Sequence, residues 1–389
     1  MYRLKLFVNM NYKNIKFLSY SNLEISLFIL IVSSLGSFIQ IAGASWDITS
    51  HLLNQPESFF TPSHTMLYTG IGLIVISAGI GSFLLIKKEI KQYTPISLSF
   101  KLLMIGSFLS LIAGPFDYLW HQIFGFDGLL SPTHLTLATG MLINSVAVFI
   151  GLYGVINNIS HWKNLGKLFL IPCLSSVWFT SIWYVFIFVL PFSESEFFNF
   201  NLNTYSATLI ASIFLPLVNS IMFLCSSKVF NNVLGYAFII VSLLVLVNTF
   251  STILPTGNLL SPLIPWYLVT VLGASLFADI LLNSRFIRIN TQFKNNKLIA
   301  SSLIGAIFYF FNYPMVIWTY GTFLNNNLES LNDVIPTFLN TIVTMTFITL
   351  PVGAIMGLIG YFIFSKIDNR LHNVLINEKN NPKVMKSDQ

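Results

Sequence analysis

The stretch Trp46–Gly70, WDITSHLLNQPESFFTPSHTMLYTG, decides how the chain is read, because seventy residues on, without a gap, Phe116–Gly140 follows as FDYLWHQIFGFDGLLSPTHLTLATG. Asp47, His51 and His64 of the first stretch fall on Asp117, His121 and His134 of the second. The same offset pairs Glu57 with Asp127, Thr61 with Ser131, Pro62 with Pro132, Ser63 with Thr133, and Thr69-Gly70 with Thr139-Gly140. The chain has only six histidines, and four of them sit in this pattern. A tandem duplication accounts for that better than chance.

Working outward, each stretch joins the end of one apolar run to the start of the next. The 389 residues are 54% hydrophobic and 9% charged, with 37 Phe and a mean hydropathy of +0.74, the composition of a polytopic membrane protein. A hydrocarbon core ~30 Å thick takes about 20 apolar residues per helix. Ten segments qualify, at 25–46, 65–86, 99–119, 135–156, 165–191, 206–227, 233–254, 263–283, 298–320 and 336–365. The expectation is an all-α transmembrane bundle of ten spans, with a tandem parallel repeat in spans one to four. It divides into a cytoplasmic N-terminal segment (1–24), a duplicated four-span metal-site domain (25–160, repeats 25–90 and 95–160), a six-span membrane bundle (161–366) and a cytoplasmic tail (367–389).

Orientation follows from the cations, which membrane insertion retains on the cytoplasmic side. All 20 Lys and Arg precede span one, lie between spans two and three, four and five, six and seven, or eight and nine, sit at an adjoining span start as Lys101 and Lys167 do, or follow span ten. The opposite loops carry Asp47, Glu57, Asp117, Asp127, Glu194, Glu196, Glu329 and Asp333. Both termini are therefore expected in the cytoplasm and both Asp-His-His sets on the extracytoplasmic face of the cell membrane. The net charge of +6 is topological, and nucleic acid is not an expected partner, since the cations form no coherent basic domain. Ala42-Gly43-Ala44 resembles a signal-peptidase site, but the apolar stretch before it is span-length and its counterpart in the second stretch is internal. It is read as a retained span.

Cys173 and Cys225 fall near cytoplasmic span ends and form no CxxC, which leaves imidazole and carboxylate as the strong ligands of the outer face. Asp47 and His51, like Asp117 and His121, are four apart at the outer end of a helix and share a face if it continues. Each helix then breaks in a nine-residue loop, at Pro56 in one stretch and at Gly125 and Gly128 in the other. Thr61 or Ser131 suits the N-cap of the returning helix and Pro62 or Pro132 its first position. This puts His64 or His134 in the first turn, where a neutral ring has a lone pair to give a metal. One carboxylate and two imidazoles serve non-haem iron, zinc and copper alike. Capping or hydrogen bonding alone is the competing role, and the recurrence of the whole set argues against it, since intramembrane ionisable groups are costly. Glu57 and Asp127 read as solvated loop acids, and Trp46 and Trp120 as interface-belt aromatics.

Asp47, His51 and His64, with Phe60-Thr61-Pro62-Ser63-His64 around the last, resemble the copper-site motif of the C subunit of membrane-bound ammonia and methane monooxygenases. The second stretch keeps the spacing, with Ser131-Pro132-Thr133-His134. The resemblance covers about 25 residues per copy and implies copper bound by Asp47, His51 and His64, and by Asp117, His121 and His134, on the outer face. It also implies other membrane subunits as partners and a copper-dependent oxidoreductase complex. That family carries the motif once and completes an adjacent copper site with an Asn and a His from a later helix. Here no His occurs between His161 and His372, so only the three-ligand site carries over.

The remainder holds no ligand cluster. Pro172, Pro216, Pro314 and Pro351 are expected to kink helices, and Gly353 with Gly357 offers a small-residue packing face. Asp279, inside span eight, belongs either to a proton or ion path or to the interface. Four functions remain open: a copper enzyme subunit, a copper delivery, storage or assembly protein, a transporter using Asp279 as inner relay, and a haem protein.

Overall fold

The computed structural model describes residues 21–52, 58–125, 130–189, 202–256, 264–283, 296–311 and 331–379. Every element among them is a helix: α1 (Asn22–Leu52), α2 (Pro62–Ile86), α3 (Thr94–Phe124), α4 (Pro132–Asn158), α5 (Lys163–Val189), α6 (Thr204–Val229), α7 (Tyr236–Thr256), α8 (Ile264–Asn283), α9 (Asn296–Ala306), α10 (Phe308–Phe311) and α11 (Leu331–Lys379). A helix satisfies its own backbone, which hydrocarbon demands. Seven of these helices, α1 to α6 and α11, are long and apolar enough to cross a membrane, and the described parts of α7, α8 and α9 are shorter apolar helices. The segment expected to span at 298–320 is interrupted: α9 ends at Ala306, Ile307 is a turn and α10 begins at Phe308. The segment from 367, expected as a tail, is helical to Lys379 as the end of α11, and Lys228 at the end of α6 holds it through Asp368 at 3.0 Å. Ile76, Phe83, Phe108, Leu111, Phe347 and Phe362 are exposed on the outside of the bundle, an apolar surface that lipid tolerates and water does not.

Because lipid tails are as apolar as leucine, helices in a bilayer associate by close packing and polar contacts. The close contacts here are made by glycine. A Cβ on Gly36 of α1 would lie 2.9 Å from the Gly70 carbonyl oxygen of α2, and one on Gly70 would lie 2.6 Å from the Gly36 oxygen. Seventy positions on, a Cβ on Gly106 of α3 would lie 2.9 Å from the Gly140 oxygen of α4, and one on Gly140 would lie 2.9 Å from the Gly106 oxygen. The expected Gly353 and Gly357 face of α11 packs on Gly305 of α9 with equally little room. Buried hydroxyls add bonds across helices: Ser34 donates to the Phe169 carbonyl at 2.9 Å, Ser99 to Ala147 at 2.7 Å, and Ser175 to Ile240 at 2.8 Å. α1 touches α2, α4, α5 and α7. Pro172, Pro216 and Pro351 lie within continuous helices, and Pro115 does so in α3; Pro314 lies outside the described residues. Cys173 and Cys225 are both free.

Asp279 has a structural employment. Fully buried on α8, it accepts hydrogen bonds from the backbone N–H of Gly235 at 2.9 Å and of Phe238 at 3.1 Å, at the start of α7. The Asn283 amide donates to its other oxygen at 2.6 Å. The first N–H groups of a helix have no partner of their own and carry its positive end, so Asp279 caps α7 from the neighbouring helix. Asp279→Ala would take the acceptor from two part-buried backbone donors and from the Asn283 amide, a loss of about 1–3 kcal/mol. A lower unfolding temperature in detergent is the expected outcome, with Asp279→Asn, which keeps one acceptor oxygen, falling between.

Candidate metal centre

The centre is built by the two helix starts. Thr61 and Ser131 are extended at the N-caps of α2 and α4 (φ −63°, ψ 160° and φ −110°, ψ 156°), and their hydroxyls accept the backbone N–H of His64 at 3.2 Å and of His134 at 3.1 Å. Pro62 and Pro132 take the first helical position, where a missing N–H costs nothing. Each cap hydroxyl also meets a second hydroxyl two residues on, Ser63 at 3.0 Å and Thr133 at 2.9 Å. That second hydroxyl donates to the carboxylate of the partner helix: Ser63 to Asp47 at 2.8 Å, Thr133 to Asp117 at 2.6 Å. A two-hydroxyl chain thus runs from each helix cap to each aspartate. Ser63 and Thr133 were visible in sequence only as a pair at the seventy-residue offset; their grip on the carboxylate was not anticipated.

The second set is described in full. Asp117 Oδ1 lies 3.2 Å from His134 Nε2, and its Oδ2 lies 3.4 Å from His121 Nε2. The three ligand atoms all lie within 4.8 Å of one another. The i,i+4 pair arises because α3 stays helical to Phe124, so the loop here is shorter than the expected nine residues; Gly125, at φ +74°, ends the helix. The Gly125 carbonyl then lies 3.1 Å from His121 Nδ1. A proton on Nδ1 donated to that carbonyl leaves the Nε2 lone pair facing Asp117, the usual outer-shell arrangement of a ligating histidine.

The first set is described in part. His64 Nε2 lies 3.1 Å from Asp47 Oδ1, matching His134 and Asp117, and His64 Nδ1 lies 2.9 Å from the Ser58 carbonyl. His51 is helical at the end of α1; its side chain lies outside the described residues, as do Glu57 and Asp127. Trp120 packs against Phe124 in a tilted arrangement, with ring centroids 4.3 Å apart.

These separations are compatible with hydrogen bonding and with a shared ion alike. Two ligands each ~2.0–2.1 Å from one tetrahedral ion stand about 3.3 Å apart, which is where the imidazole nitrogens and Asp117 oxygens sit. The donor set of two neutral imidazoles and one carboxylate fits a borderline transition-metal ion with a coordination position to spare. The side chains are mostly buried, Asp117 at 14% and His121 at 7% exposure, so a carboxylate with reduced hydration gains most from a cation in reach.

No protein-family model, curated protein or solved structure matches the chain.

Removing the hydroxyl that aims each carboxylate tests the support built around it. Thr133→Val and Ser63→Ala should leave fold and helix content intact while weakening metal retention about 10- to 100-fold, the usual effect of losing an outer-shell partner. Competition with a chelator of known affinity measures this.

Proposed function

We propose that the chain is an integral membrane metalloprotein that holds copper at the extracytoplasmic face through Asp117, His121 and His134, and through Asp47, His51 and His64 by the same spacing. The observation that carries the proposal is the convergence of Asp117, His121 and His134 at 3.2 and 3.4 Å, with His121 turned by a backbone carbonyl so that Nε2 faces the carboxylate. Bound copper would supply one-electron redox chemistry and an open coordination position. The chain's own groups hold the ligands: Thr133 and Ser63 aim the aspartates, and the N-caps place His134 and His64.

The finer architecture belongs to the same proposal. Ten spans with both termini cytoplasmic account for the placement of all 20 basic residues. A duplication spanning the first four helices is supported by the recurrence of Gly36 against Gly70 and Gly106 against Gly140 at the same offset as the ligands. The resemblance of Phe60-Thr61-Pro62-Ser63-His64 to the monooxygenase C-subunit motif points to a subunit of a copper oxidase or monooxygenase complex, with electrons drawn from other membrane subunits. Delivery or storage of copper is the second reading, favoured by the presence of two sets in one chain. The transporter reading loses its inner relay, because Asp279 serves as a helix cap.

Elemental analysis of the purified chain and of variants His64→Ala, His134→Ala and the double variant is the test. The intact chain should carry one copper per set, each single variant should lose half, and the double variant should lose all. Substoichiometric copper, iron and zinc in the intact chain would overturn the proposal. Topology has its own check: a cysteine at Phe60 should react with an impermeant thiol reagent on intact cells, and one at Lys88 only after permeabilisation.

A further inference from the structure

Two cavities flank the outer ends of α1 to α4, and each is walled by one helix from each stretch. The first, of about 90 Å³, lies between α2 and α3, where His64 and Tyr68 face Gly114, Asp117, Tyr118 and His121. The second, of about 70 Å³, lies between α1 and α4 against α5, where Ala44, Asp47 and Ile48 face His134 and Ala138. Position by position the walls correspond at the seventy-residue offset: Gly114 with Ala44, Asp117 with Asp47, Tyr118 with Ile48, His64 with His134, Tyr68 with Ala138. Each cavity is therefore bounded by the aspartate of one set and a histidine of the other. The two differ in chemistry at the remaining positions. Tyr68 and Tyr118 bring phenols to the first, whereas Ala138 and Ile48 leave the second aliphatic, and Leu67, Met141, Phe179 and Trp183 complete its apolar wall.

The first cavity is a shaped one. Gly114, Asp117, Tyr118, His121 and Gln122 recur at helical spacing on one face of α3. Tyr68 stacks on His64, with centroids 5.7 Å apart, and lies across Gly114, where a Cβ would come within 3.2 Å of its ring and 3.4 Å of its hydroxyl. Phe59 closes on both phenols, 5.2 Å from Tyr68 and 5.9 Å from Tyr118. The volume has room for several water-sized groups. The phenol hydroxyls and the Gln122 amide are hydrogen-bond donors, and they stand beside two ligands of the described set.

We propose that the two cavities have diverged in what they admit: the α2–α3 cavity receives a small hydrogen-bond-accepting ligand that coordinates the ion held by Asp117, His121 and His134. The α1–α4 cavity does not receive it. This rests on the metal reading above and adds the class and the route of the exogenous ligand.

Azide is the probe, titrated into the full copper(II)-loaded chain in detergent, with the azide-to-copper charge-transfer band read alongside the copper content of each sample. Gly114→Leu fills the α2–α3 cavity without replacing a ligand, and Tyr68→Phe with Tyr118→Phe removes only the two hydroxyls. Both should keep the copper of the parent chain and bind azide about tenfold more weakly or worse, a change of ~1.4 kcal/mol. Ala44→Leu, which fills the other cavity, should leave azide affinity unchanged. Unchanged affinity in the tyrosine double variant, or equal loss in Ala44→Leu, would overturn the inference and leave the metal reading standing. Failure of the intact chain to take up copper would overturn both. Should Gly114→Leu prove misfolded by loss of copper and aggregation, the tyrosine double variant decides alone.

Discussion

Backbone contact between antiparallel helices sets everything at the candidate metal centre. Gly43 of α1 has no room for a side chain against the backbone of Leu67 on α2, just as Gly36 has none against Gly70. With those contacts made, the register of the pair is fixed, and one turn further out on each helix Asp47 arrives opposite Ser63 at 2.8 Å. In α3 and α4 the contact of Gly106 with Gly140 leads in the same way to Asp117 opposite Thr133 at 2.6 Å. A slip of one residue along either helix would turn the ligand away by roughly a quarter of a turn. Helix packing deep in the bundle and ligand geometry at its rim are thus one constraint met at two heights.

The chain contains two ways of keeping a buried carboxylate. Asp279 is surrounded by fixed backbone and amide donors that have no other partner to take, so its charge is committed to holding α7. Asp117 is surrounded by one hydroxyl and two imidazoles. Imidazoles can exchange a proton for an ion without moving far. The same side chain is a staple in one place and a candidate ligand in the other, and the difference lies in whether its donors are replaceable.

Local chemistry was legible in the sequence. Thr61, Pro62, Ser131 and Pro132 announce two helix starts because a cap and its first turn are four consecutive residues, and they place His64 and His134 where the structure has them. The i,i+4 relation of Asp117 and His121 is likewise a property of one helix. What could not be read was what depends on two helices at once. Asp279 looked like a lone membrane acid because its donors, Gly235 and Phe238, belong to the preceding helix. Tyr68 gave no signal, since only the approach of α2 to Gly114 of α3 brings it beside the second set. Gly36 and Gly106 could have been found by extending the seventy-residue comparison upstream, where Gly-Ser-Phe occurs at 36–38 and again at 106–108. The interruption at Ile307 escaped because hydropathy sees apolar length and not continuity of the helix.

α11 runs for 49 residues. At 1.5 Å per residue that is about 74 Å, more than twice the ~30 Å of hydrocarbon it has to cross. A helix of this length cannot be hidden: tens of ångströms of it stand clear of the acyl chains, continuous with the part gripped by Gly305 of α9. The Lys228–Asp368 pair ties that outlying part back to α6, so α11 is anchored to the bundle at two heights.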